Sequence, residues 1–209
     1  MRDIDKNKLS YALGMFVYDK VLKNYGDLDH EIFLKALIAQ QEGGETKLSK
    51  GEAESIIREY EVKAKEKKAA SANAVGRKYI NDNKTRNGVR VTDSGLLYEG
   101  LTVTTGLKPL IEDQVSVHYV GTLIDGQEFG NTVLRGKPEM FTLKEVIPGL
   151  AEGLLLMSVG SKYRFVIPSD LAYGDNGTDF IIGPGETLIF NIELLDIRCM
   201  RMRSAVYVS

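Results

Sequence analysis

The stretch VSVHYVGTLIDGQEFG, residues 115–130, decides the fold. Its first seven residues alternate. Val115, Val117 and Tyr119 fall on one face and Ser116 and His118 on the other, the period of a half-buried strand. Asp125-Gly126 predicts a two-residue hairpin turn, and Gln127-Glu128-Phe129 the start of the return strand. The same period recurs twice downstream. Over residues 162–168, Tyr163, Phe165 and Ile167 face in while Lys162 and Arg164 face out; over 187–197, Leu188, Phe190, Ile192 and Leu194 share a face. Between these strands Val146, Ile147, Leu150 and Leu154 stand at helical spacing, and Pro148 suits a first helical turn. The expected inner faces collect Tyr119, Phe129, Phe141, Tyr163, Phe165, Tyr173 and Phe190, with no charge among them.

Toward the N-terminus the pattern becomes helical. Leu9, Leu13, Phe16, Val17 and Val21 repeat at spacings of three and four, predicting an amphipathic helix over residues 5–23, which Tyr25-Gly26-Asp27 ends. A second helix is expected over 29–41, with Asp29 as N-cap. Its run Ile32, Phe33, Leu34, Ala36, Leu37, Ile38, Ala39 leaves almost no polar face, so it must be covered all round. Two short helices offer little cover within one chain, and a second copy is the natural source. Ser49-Lys50-Gly51-Glu52 is a capping box opening a third helix. It continues to about residue 83, supported by the i,i+4 pairs Glu54–Arg58, Glu59–Lys63 and Glu61–Lys65, and would reach roughly 50 Å. Its middle, KAKEKKAASANA (63–74), has no broad apolar face and is expected to be a solvated stalk; the alternative, ranked second, is a helix lying along its own domain. Asn87-Gly88 marks the turn into the sheet region.

Composition narrows the function classes. Of 209 residues, 43% are hydrophobic and 27% charged, with net charge −2. That balance carries no signature of nucleic-acid or membrane binding, and no apolar run approaches a transmembrane span. Cys199 is the only cysteine, so no disulfide can close within the chain. His30 and His118 are the only histidines and neither has metal-ligand spacing, which argues against a zinc site or a histidine-based nucleophilic relay. GPGE at 183–186 lacks the lysine and following helix of a phosphate loop. No cofactor is implied. A reaction needing little acid–base machinery fits these absences.

VHYVGTLIDGQEF (117–129), VIPGL (146–150), SDLAYG (169–174) and IGPGETLIFNIELL (182–195), in this order and spacing, resemble the FKBP-type peptidyl-prolyl isomerases. The resemblance covers roughly residues 92–197. The residues before it resemble the dimerising helical half of the macrophage infectivity potentiator (Mip) branch. The implied fold is α+β: a helical dimerisation module (1–48), a long linker helix (49–86), an antiparallel half-barrel sheet wrapped around one short helix (87–198), and a C-terminal tail (199–209). The implied function is peptidyl-prolyl cis–trans isomerisation in protein folding, by a homodimer joined through its N-terminal helices. Its partners would be proline-containing segments of folding proteins, and macrolide immunosuppressant-type ligands could occupy the same pocket. The sequence leaves the compartment open between cytoplasmic, as the chain stands, and periplasmic or outer-membrane-anchored, with a leader removed.

Residue by residue, the resemblance implies catalytic roles for Tyr119, Phe129, Ile147, Tyr173 and Phe190, with Tyr173 offering its hydroxyl and Ile147 its N–H to bound carbonyls. Phe141, Val146, Leu150, Ile182 and Arg135 would bind substrate. Aromatic and aliphatic side chains on a sheet face are ordinarily core, so the set rather than any member carries this reading. Four positions depart from the family pattern. Gly130 stands where an aspartate is usual, Leu150 replaces a tryptophan, Glu139 a rim phenylalanine, and Thr178 a larger group. Without an acidic residue at 130, Tyr119 and Arg135 are expected to lack their acceptor and turnover to be reduced. The alternative is a dimeric folding chaperone or prolyl-peptide binder with weak or no isomerase activity.

Overall fold

The computed structural model describes residues 5–26, 28–178 and 181–199. The chain divides into two compact units, residues 1–57 and 58–209.

The first unit holds helix α1 (Lys6–Lys20), a short 3-10 turn (Leu22–Asn24) and helix α2 (His30–Glu42). The Asp5 carboxylate accepts from the N–H groups of Asn7 and Lys8, and Asp29 accepts from those of Glu31 and Ile32. Each cap satisfies donors that a helix start otherwise leaves to water. Gly43 ends α2 in the left-handed conformation, φ 68°. Neither helix contains a buried residue.

Helix α3 (Lys50–Asn83) begins in this unit and ends in the second. Its capping box forms as expected. The Ser49 hydroxyl accepts from Glu52 N–H at 3.3 Å, and the Glu52 carboxylate accepts from Ser49 N–H at 2.8 Å. The Glu59–Lys63 pair closes at 2.6 Å, and Lys65 reaches Asn176 at 2.8 Å.

That contact marks a difference from the solvated stalk expected at 63–74. From Lys65 onward α3 lies along the sheet domain. Its two buried residues are Ala69 and Gly76. A β-carbon on Gly76 would collide with the Thr187 side chain. Tyr79 and Ile80 pack on Leu97, Val166 and Ile189, and Tyr79 accepts from Arg164 at 2.9 Å. Small side chains let the helix approach closely, so no broad apolar stripe is needed.

Among the described residues seven antiparallel strands follow: β1 (Val89–Val91), β2 (Leu97–Thr102), β3 (Gln114–Thr122), β4 (Glu128–Asn131), β5 (Glu139–Thr142), β6 (Lys162–Ile167) and β7 (Leu188–Arg198). They run in the order β1-β2-β6-β7-β3-β4, with β5 also on β3. The β3–β4 connection is a three-residue turn rather than the expected two. Leu123 N–H bonds Gln127 O at 2.9 Å, and Gly126 takes φ 91°, a conformation glycine adopts without strain. Helix α4 (Pro148–Leu156) opens with Pro148 after Ile147. Its Leu150 and Leu154 meet Val115, Val117, Phe165, Ile167, Leu188, Ile192 and Leu194 in the main core. Alternation along β6 and β7 thus puts Phe165 and Ile167 against α4 and Val166 against α3. Among the described residues no helix is long and apolar enough to cross a membrane. Of the expected tail, 200–209 lies outside the described residues.

Candidate active site

A groove of about 650 Å³ opens between the sheet and the start of α4. β3 brings Tyr119, β4 Phe129, β5 Phe141, and β7 Phe190. The segment entering α4 brings Val146, Ile147 and Leu150, and the loop between β6 and β7 brings Tyr173 and Ile182. Nine of the ten side chains expected from the sequence therefore line one space. Met140, Thr142, Glu145, Thr178 and Ile181 complete the wall. Of these, sequence reading singles out only Thr178. β5 is four residues long, too short for a period to announce it, and the others sit beside residues that were expected.

The rings form a connected set. Tyr119 lies 5.6 Å from Phe141 and 5.7 Å from Phe190, centroid to centroid, and Phe129 meets Phe190 edge-on at 5.3 Å. Such tilted contacts are the favourable ones for aromatic pairs. Tyr163 and Phe165 belong elsewhere: they stack on each other, and Tyr163 on Tyr98, and neither lines the groove. Leu150, Ile182 and Phe190 are buried, whereas Tyr173 is 42% exposed. The side chain is therefore less enclosed than its expected inner-face placement, and a ligand can reach it.

Two glycines create the room for two of the rings. Gly121 and Gly130 face each other across β3 and β4. A β-carbon on Gly121 would stand 2.6 Å from Phe129 Cζ, and one on Gly130 only 2.7 Å from the Tyr119 hydroxyl oxygen. The space a side chain at 130 would need is thus filled by Tyr119.

Arg135 does not line the groove. It stands on the exposed loop after β4, where its Nη2 donates to Glu139 Oε2 at 2.9 Å and its Nε to Asn131 O at 3.4 Å. This corrects the expectation that Gly130 leaves Arg135 without a carboxylate: Glu139, at the start of β5, supplies one. Burial pushes the Tyr119 phenol above its ordinary value, the Arg135 guanidinium pulls it part of the way back, and Glu139 opposes that pull. The phenol therefore stays protonated at neutral pH.

The N–H of Ile147, the residue preceding α4, has no acceptor among the described residues, while its carbonyl accepts from Leu150 and Ala151. The groove thus combines apolar walls with a free N–H at a helix start and an accessible phenol. It can enclose an uncharged cyclic side chain and bind carbonyl groups.

Known proteins agree with this arrangement. Residues 106–195 match the family of FKBP-type peptidyl-prolyl cis-trans isomerases, and residues 6–99 match the domain that lies amino-terminal to such isomerases. The chain is 37% identical over 202 residues to the outer membrane protein MIP of Legionella longbeachae, covering 93% of this chain and 86% of that protein. It is 37% identical over 207 residues to the FKBP-type peptidyl-prolyl cis-trans isomerase FkpA of Escherichia coli K12, covering 93% of this chain and 76% of FkpA. The crystal structure of Escherichia coli FkpA superposes with a TM-score of 0.74 at 34% identity, covering 95% of this chain and 98% of that one. Fold, groove and sequence agree, and the chain belongs to the FKBP-type peptidyl-prolyl cis–trans isomerases, with that family's amino-terminal domain ahead of the isomerase domain.

Proposed function

We propose that the groove holds the proline of an X-Pro segment and eases rotation about the preceding amide. Phe129, Phe141, Val146, Leu150, Ile182 and Phe190 surround the ring, and Tyr119 closes one side. The Tyr173 hydroxyl and the Ile147 N–H each take a carbonyl of the bound chain. The observation that carries this reading is the ring-lined groove with a phenol and a helix-start N–H placed to meet carbonyls. The barrier is amide resonance, about 18–20 kcal/mol, and no covalent bond breaks. Uncatalysed exchange takes tens to hundreds of seconds. An ordinary enzymatic rate requires roughly 4–7 kcal/mol of differential stabilisation. The twisted amide is less charge-separated than the planar one, so it loses less on leaving water, and donors fixed on a helix start and a loop favour the twisted geometry over the ground state.

The groove's volume also suits a drug-sized ligand of the macrolide immunosuppressant type. The Arg135–Glu139 pair answers half of the ground for expecting reduced turnover, since the arginine is held without a carboxylate at 130; the half that concerns Tyr119 stands. Isomerisation of a short prolyl peptide, run beside refolding of a protein limited by a cis proline, tests the function. Activity in both is expected; refolding without peptide turnover would favour the binder alternative. Tyr173→Phe should weaken macrolide binding by about 0.5–1.5 kcal/mol, the net worth of one hydrogen bond. Unchanged affinity would remove the hydroxyl from the site.

The helical unit supports a second element of the reading, a homodimer. Leu9, Phe16, Leu34, Leu37 and Ile38 are all exposed. Two copies would bury them in an isologous contact. Sedimentation of the full chain as a dimer at micromolar concentration is expected, and a monomer would sink it.

A further inference from the structure

The loop between β6 and β7 carries Tyr173 between two short 3-10 turns, Ser169–Leu171 and Gly174–Asn176. Asn73 of α3 ties both turns, and Lys65 of the same helix adds a bond from its Nζ to Asn176 Oδ1 at 2.8 Å in the second turn. Asn73 Nδ2 donates to Asp175 Oδ1 at 2.9 Å, and the hydroxyl of the buried Ser169 donates to Asn73 Oδ1. The amide cannot be reversed. A carboxylate only accepts, so Nδ2 must face Asp175, and the oxygen is then left for the serine. The bonds reach the chain four residues before Tyr173 and two residues after it. The neighbouring turn is stitched to the same helix. Gly185 N–H bonds Gly174 O at 2.9 Å, and a β-carbon on Gly185 would stand 2.5 Å from Ala69 O and 3.0 Å from Asn73 Nδ2. A cleft of about 380 Å³ lies along this seam, lined by Asn73, Arg77, Ser169 and Asp175 among others. Leu171 and Ala172 pack on the main core from the other side of the loop, and along this open edge the bonds of Asn73, with that of Lys65, hold it to α3.

We propose that Asn73, on the long helix, is a positioning residue of the prolyl groove: by holding the loop on both sides of Tyr173 it sets where that phenol stands. The role rests on Tyr173 touching substrate as proposed above. It makes α3 a part of the isomerase machinery, although no residue of the helix enters the groove.

The test is a mutant cycle in the full chain, read as kcat and KM on a short prolyl peptide. Asn73→Asp sets a second carboxylate against Asp175 and forces the loop away. Turnover should fall about tenfold, because displacing a binding group by an ångström is costly even when the change lies outside the reacting centre. Adding Asp175→Asn exchanges donor and acceptor while leaving an acceptor for Ser169, and should restore kcat/KM to within about twofold of the parent. The decisive arm repeats Asn73→Asp in a Tyr173→Phe background. If the residue acts through the phenol, the second change costs little there; a merely structural residue would cost the same in both backgrounds, and that result overturns the role. So does an Asn73→Asp chain as active as the parent, or a failure of Asp175→Asn to restore turnover. Should Asn73→Asp not fold, Asn73→Ala carries the same background comparison. A parent without turnover overturns the reading of the groove and this role with it, whereas an active parent with unaffected variants overturns only the latch.

Discussion

In the helical unit, Leu9, Phe16, Leu34 and Leu37 stand half-exposed, while in the sheet unit Leu154, Phe165, Ile167 and Leu188 are fully buried. Their residue types are alike, and what differs is the means of cover. Strands pair with distant parts of the chain: β3 is flanked by β7 on one side and by β4 and β5 on the other, so the sheet curls and encloses α4. Two helices of 15 and 13 residues have no such option. Isolated helices of that length are marginal in water, so their apolar stripes call for another surface. An apolar stripe in a sequence therefore states a need for cover without saying where the cover comes from.

The contrast can be broken most forcefully in the sheet unit. Phe165→Ala should remove about 3–5 kcal/mol from the unfolding free energy, read from the urea midpoint. A loss below about 1 kcal/mol would mean that the enclosed core is not what holds this unit. In the helical unit, Leu37→Glu with Ile38→Glu should turn the proposed dimer into a monomer in sedimentation while leaving isomerisation of a short peptide unchanged. Retention of the dimer would show that these side chains are not its contact. Next in size is Gly130→Asp. The sequence suggests that a carboxylate there would raise turnover, but Tyr119 already occupies the space. Overpacking of this kind costs about 1–3 kcal/mol, and kcat/KM should fall several-fold. A rise would show that Tyr119 can move aside without loss. The smallest effect concerns charge. Burial, with the Asp125 carboxylate nearby, holds the Glu186 carboxyl above its ordinary value. The folded chain then keeps a proton that the unfolded chain has lost, so stability falls as pH rises through this range. Glu186→Gln should raise Tm at pH 7, and the gain should vanish below about pH 4. Glu59→Gln, on the exposed face of α3, should leave Tm unchanged, because an exposed ion pair adds little.

Much of this was legible because it is periodic or punctuated. The alternation of 115–121, 162–168 and 187–197, Pro148 at a helix start, and Ser49 with Glu52 each have one strong structural meaning. The groove's lining followed from the family resemblance; alternation alone also turned inward Tyr163 and Phe165, which lie outside it. Two features were not legible. The docking face of α3 is made of Ala69, Asn73 and Gly76, and small or polar residues leave no mark in a search for apolar stripes. The Arg135–Glu139 pair depends on β5 returning beside β3, with Glu139 opposite Val117, a long-range register that local pattern does not carry.

The packing of Tyr79 and Ile80 on Leu97, Val166 and Ile189 has a practical consequence for anyone wishing to excise the catalytic domain. A fragment cut at the visible turn, Asn87-Gly88, would expose those three aliphatic side chains to water and leave Thr187 without its neighbour on the helix. It should be sticky and prone to aggregate, even though every groove residue is still present. A fragment beginning near Arg58 keeps the Lys65, Ala69, Asn73 and Gly76 contacts. By this measure the natural start of the domain lies 31 residues ahead of its first strand.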